Sequence, residues 1–216
     1  MTIQHHPMDT TLAAFAGGTL DEGRSLVIAT HLAACAACRR RVATFECLGG
    51  ALLETMPASP MAADALAQTL ARIDAPTTAE AAAQASRRPG DGTMIYPAPL
   101  SHYELGPWRW VGRGVHFRRV SVPPEAGTHV FMLKAKPGTQ LPRHSHTGTE
   151  LTCVLKGAFR HDHGRFGPGD VDDADDTIEH WPRVEPGEEC ICLLALQGQV
   201  RFAGVMGRLL QPFVRM

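Results

Sequence analysis

Aromatic side chains are scarce, at 6% of 216 residues with only two tyrosines. Long apolar runs are missing too. None approaches the roughly 20 residues needed to cross a bilayer, and the opening stretch, MTIQHHPMD, lacks the charged-then-apolar order of a secretory signal. A cytoplasmic protein is the expectation. Neither sign of charge dominates, because the net charge is -1. Residues 1–75 carry five basic and seven acidic side chains and the remainder 16 and 15, so neither part has the cationic excess that direct binding of a phosphate backbone requires. Nucleic acid is excluded as a favoured direct partner. With 44% apolar and 20% charged residues, the chain can bury a core and is not of the disordered class.

Histidine and cysteine are abundant, at eleven and six. In a reducing compartment thiols persist, so metal binding or redox chemistry is a better reading than three disulfides.

The first 75 residues read as four short helices. Asp9 is placed to cap a segment with Leu12 and Phe15 on one face, ended by Gly17-Gly18, and Asp21-Glu22 put acids at the start of a second segment running to about Leu32. Val42, Phe45, Leu48 and Leu52 recur at helical spacing, as do Leu66, Leu70 and Ile73 beyond Pro57 and Pro60. Residues 76–93 have almost no large apolar side chain and read as a linker. From 94 to 216 the pattern becomes short alternating runs, among them Val130 to Leu133, Glu150 to Leu155 and Cys190 to Leu196, separated by Gly and Pro turns. The expected fold is therefore α+β in two domains: a small helical bundle, then an antiparallel β-barrel or jelly roll.

Each domain carries a ligand constellation. His31, Cys35 and Cys38, spaced by four and three, meet on one side of a helical turn or helix end. An imidazole with two thiolates is a zinc-type set, and a structural site closes its tetrahedron with a fourth protein ligand. His5 and His6 are the candidates, with His6 favoured. A redox Cys-x-x-Cys would normally follow a strand in a βαβ unit, which this region lacks. In the second domain, His144 and His146 share one face of an extended strand, Glu150 returns to that face after a turn, and His180 is the best-placed fourth ligand. This set suits zinc, iron, manganese or nickel. His161 and His163 lie at a hairpin corner where exposure is the default, the acidic run from Asp170 to Asp176 reads as a solvated loop, and Arg39 to Arg41 read as a solvated helix face. Cys153, Cys190 and Cys192 lie in apolar strands as small buried hydrophobes, with an oxidant-sensing role for the last two left open.

The upstream histidine followed by H-x3-C-x2-C in a small helical domain resembles the zinc-binding anti-sigma factors. The second constellation matches the first cupin motif, G-x5-H-x-H-x3-E-x6-G, at Gly138, His144, His146, Glu150 and Gly157. The second cupin motif is met loosely, by Gly169 and a late His180. An anti-sigma module joined to a cupin resembles the ChrR-type anti-sigma factors. That resemblance implies zinc at His6, His31, Cys35 and Cys38, and zinc or another divalent transition metal at the cupin set. It further implies a one-to-one complex with an extracytoplasmic-function, sigma-E-type sigma factor, released in response to singlet oxygen or related oxidants, with no catalysis. Read alone, the cupin half leaves open a metal-dependent dioxygenase with an N-terminal zinc-binding assembly domain, or a carbohydrate- or ligand-binding barrel.

Overall fold

The computed structural model describes residues 2–75, 96–123 and 128–202; the linker expected at 76–93 lies outside them. Four helices come first: α1 (Asp9–Ala16), α2 (Glu22–Ala34), α3 (Ala36–Thr55) and α4 (Ala65–Asp74). Met8, not Asp9, caps α1; Asp9 lies inside the first turn, 3.2 Å from Arg41. Asp21 does cap α2, its side chain accepting from the Arg24 amide at 2.9 Å. Only α1 to α3 pack together closely. Every described side chain of α4 except Ala65 is exposed, and Leu48, Leu52, Leu66, Leu70 and Ile73, which recur like a core stripe, are each more than half exposed. Periodicity identifies an apolar face but not what covers it.

Among the described residues, twelve strands follow. The large sheet runs in the order β1 (Glu104–Leu105), β3 (Val115–Ser121), β4 (Thr128–Ala135), β11 (Cys190–Gln197), β6 (Glu150–Lys156), β9 (Val171–Ala174), with β2 (Arg109–Gly112) also on β3. All these pairings are antiparallel. Two smaller sheets complete the fold: β10 (Arg183–Val184), β7 (Phe159–His161) and β8 (Gly164–Phe166); and β12 (Val200–Phe202) with β5 (His144–His146).

Because side chains alternate across a strand, the large sheet has two apolar faces. Val130, Met132, Leu151, Cys153, Val171, Leu193 and Ala195 face the helices and share one core with Leu26, Val27 and Ile28 of α2. Phe131, Val154, Cys190, Cys192, Leu194 and Leu196 face the other way and pack with Phe159, Phe166 and Val184 of the small sheet. The approach of α2 is close: a Cβ on Gly23 would lie 2.5 Å from Val130 Cγ2. Helices and sheet therefore meet through buried apolar surface, the dominant favourable term in folding.

Candidate functional site

The N-terminal cluster is built at a helix corner. Cys35 has extended backbone angles (φ -102°, ψ 99°) and separates α2 from α3, so His31 in the last turn of one helix and Cys38 in the first turn of the next point at the same space. His6 Nδ1 lies 3.4 Å from Cys35 Sγ and 3.3 Å from Cys38 Sγ. His5 is turned away and stacks on Phe166 with ring centres 4.2 Å apart. The ligand atoms of His6, His31, Cys35 and Cys38 all lie within 4.8 Å of one another. His31 Nδ1 donates to the Gly169 carbonyl at 2.7 Å, which fixes the tautomer and leaves Nε2 as the lone-pair nitrogen. That Nε2 is buried and makes no hydrogen bond. Burial lowers the His31 pKa and keeps the ring neutral, the form that ligates. Burial, then the neighbouring Cys35, pushes the Cys38 thiol up to about 12. Two buried thiols and an orphaned imidazole nitrogen are costly as thiolates without a cation and fit one well. The cluster could hold a metal ion.

The second cluster lies inside the barrel. His144 and His146 come from β5 and Glu150 from the start of β6; His180 pairs backbone to backbone with His144 in an isolated antiparallel bridge. The ligand atoms of these four also lie within 4.8 Å of one another. His144 Nδ1 donates to the Pro142 carbonyl at 2.8 Å, so Nε2 is left to face the cluster, 3.0 Å from His180 Nε2. His146 Nε2 lies 3.2 Å from Glu150 Oε2 without the alignment of a hydrogen bond, and both its ring nitrogens are buried and unsatisfied. Burial drives the His144 pKa down to about 4. At His146 burial opposes the charge too, but Glu150 outweighs it and the pKa rises. Burial likewise opposes a charged Glu150; the three histidines outweigh it and hold the carboxyl low. A concentrated lone-pair set with one carboxylate, largely buried, is again what a divalent ion satisfies. The cluster lies at one side of a cavity of about 800 Å³ whose wall includes Phe131, Leu133, Phe159, Leu194 and Phe202.

Two readings of the sequence are corrected. His161 is not at the solvent: its side chain is fully buried and Nε2 lies 2.9 Å from Asp172 Oδ2, because the β7–β8 hairpin folds onto the barrel. His163 beside it is exposed. The acidic run is not a solvated loop either. Asp170 and Asp172 are buried, and Val171–Ala174 form β9. Asp172 faces His161 and His180, so it belongs to the barrel cluster's surroundings; its signal in the sequence was hidden among four other acids. Arg39 to Arg41 are exposed, with Arg39 covering the Leu32 carbonyl at the end of α2. Cys190 and Cys192 are buried, with their sulfurs 3.6 Å apart. Among the described residues no helix is long and apolar enough to cross a membrane.

Residues 100–200 match the ChrR cupin-like domain family. The anti-sigma-E factor ChrR of Cereibacter sphaeroides is 41% identical over the full length of both chains. A crystal structure of Rhodobacter sphaeroides SigE in complex with the anti-sigma ChrR is similar over 91% of this chain and 100% of that one, at 38% identity and a TM-score of 0.72. With full-length identity of that order, and with both ligand clusters assembled, the chain belongs to the ChrR family of anti-sigma factors.

Proposed function

We propose that this chain is an anti-sigma factor that binds a sigma-E-type sigma factor one to one and keeps it from RNA polymerase. The observation that carries the reading is the uncovered apolar ridge of α3 and α4: Leu48, Leu52, Leu53, Met56, Leu66, Leu70 and Ile73 are each more than half exposed. A ridge of this size is what a protein partner covers. The near-neutral helical half suits a protein target rather than DNA, and such a target places the chain in the cytoplasm.

His6, His31, Cys35 and Cys38 hold zinc in this reading, and the ion joins the chain start to the α2–α3 corner. Zinc there supplies structural cross-linking; the protein's own residues orient it, through the His31 bond to Gly169 and the Cys38 amide bond to Cys35 Sγ. His144, His146, Glu150 and His180 hold zinc or another divalent transition metal. The barrel, 94–216, receives the oxidant signal, singlet oxygen or a product of it, and the helical part, 1–75, holds the sigma factor. A barrel whose state changes the helical part releases the sigma factor by a population shift. The dioxygenase alternative is displaced because the relative matched over the whole chain is a regulator.

The test is co-expression of the full chain with a sigma-E-type factor from its own organism. A one-to-one complex that blocks sigma-dependent transcription in vitro is expected. Failure to associate, together with oxygen uptake on a small substrate, would restore the enzyme.

A further inference from the structure

One short piece of the barrel touches both ligand clusters. On the helical side, the Gly169 carbonyl fixes His31 at 2.7 Å. Asp170 Oδ1 accepts from the amides of Gln4 at 2.7 Å and His5 at 3.0 Å, and the Val171 amide donates to the His5 carbonyl at 3.2 Å. The backbone on both sides of residue 5 is thus fastened to the barrel, and His6 is the next residue. Two of the four helical-side ligands take their positions from residues 169–171. The turn itself is locked: Asp170 Oδ2 accepts from the Gly167 amide at 2.8 Å, and Gly169 stands at φ +88° with Ile3 where a Cβ would be.

On the barrel side, Asp172 lies two residues further along and points the other way. Its Oδ2 is 2.9 Å from His161 Nε2 and 3.6 Å from His180 Nδ1, while His180 Nε2 joins the second cluster. A second strut runs beside this one. Phe166 stacks on His5 at 4.2 Å and on His161 at 4.9 Å, so the ring that flanks Asp172 is packed, through one phenylalanine, on the segment that carries His6.

We infer that Asp170 and Asp172 are positioning residues, one for each centre, and that the Gly169–Asp172 segment couples metal binding in the barrel to metal binding at the helix corner. The inference rests on the reading that both clusters bind metal. Displacing Asp172, as a change at His180 must, moves a strand start whose next outward groups hold His31 and His5. Carboxylates behind metal-bound histidines typically contribute tenfold to a hundredfold in affinity. Coupling between sites is reciprocal, so loading either centre must change the affinity of the other by the same factor.

The test uses the full-length protein and cobalt(II). Thiolate ligands give cobalt a charge-transfer band that an all-nitrogen-and-oxygen site lacks, so the band reports the helix-corner centre alone, while total bound cobalt reports both. Asp172→Asn is expected to weaken the barrel centre by at least tenfold and also to shift the dissociation constant read from the band by at least fivefold. Asp170→Asn is expected to weaken the band directly. The exposed Asp176→Asn is expected to change neither. In the wild type, the band's dissociation constant is expected to differ at least fivefold between barrel-loaded and barrel-empty protein, a comparison that needs no variant to fold. Wild-type protein that loads both centres, with a band constant within twofold in both comparisons, overturns the coupling alone. Wild-type protein that binds no cobalt at either centre overturns the two-metal reading and the coupling with it.

Discussion

His144 and His180, thirty-six residues apart in sequence, exchange both backbone hydrogen bonds, the His144 amide to the His180 carbonyl at 3.1 Å and the reverse at 3.0 Å. That pairing, and not sequence proximity, brings the third imidazole into the barrel cluster. The long acidic insertion between Gly169 and His180 is taken up by β9 and the turn after it.

Replacing His146 or Glu150 should therefore empty the barrel centre while leaving all four helix-corner side chains in place. His146→Ala and Glu150→Gln are expected to lower metal content from two ions per chain to one, with the thiolate-cobalt band unchanged in intensity at saturating cobalt and sigma binding retained. Metal analysis of the purified variants checks this. Retention of two ions would remove Glu150 or His146 from the ligand set.

The helix-corner cluster was legible because three of its side chains are local: His31, Cys35 and Cys38 lie within one or two turns, where spacing translates directly into proximity. The choice between His5 and His6 was not local. It depends on Phe166, 161 residues after His5, which takes the His5 ring and leaves His6 for the sulfurs. His144 and His146 were legible through the period of two, and Glu150 through the turn that follows them. The burial of His161 and Asp172 was not, since it follows from a hairpin and a strand packing across the barrel. The stripe from Leu48 to Ile73 has core periodicity and a solvent position, a conflict between pattern and packing that marks surfaces made for a partner.

The exposed ridge yields a separation of stability from binding. Leu52→Glu and Leu70→Glu replace solvent-facing side chains, so each is expected to change unfolding free energy by no more than about 0.5 kcal/mol. A charge placed in an apolar contact should weaken sigma binding at least tenfold. Urea unfolding and titration of sigma factor on the same samples decide it. Loss of stability with unchanged binding would place the contact elsewhere.

Asp21 gives a pH dependence of stability. Burial works to raise its pKa, but the Arg24 amide at 2.9 Å and side chain at 2.5 Å outweigh this and hold it below 3.8. A carboxyl lowered in the folded state contributes stability that is complete above its unfolded pKa and is lost as pH falls through the folded value. Asp21→Ala should cost about 1 kcal/mol at neutral pH, the usual size of a helix cap. The gap from wild type should be equal at pH 7 and pH 5 and should shrink below about pH 3.8. A gap that widens on acidification would contradict this role.

Metal removal should act as a loss of ligand-linked stability. At free zinc a thousandfold above the dissociation constant, an ion that binds only folded protein contributes about 4 kcal/mol. Stripping with a chelator is expected to lower the unfolding midpoint, and re-adding zinc to restore it. His31→Ala, unable to close the helix-corner site but still carrying the barrel cluster, should show a smaller response to each step than wild type.

The most direct measurement is the sigma factor retained per zinc-loaded chain in a pull-down, comparing wild type with a variant carrying alanine at His31, Cys35 and Cys38. Wild type should retain one sigma factor per chain and lose it on chelation. The triple variant should carry one ion fewer and retain none. If it kept its full metal content and still held sigma, the docking face would not depend on the imidazole-thiolate centre.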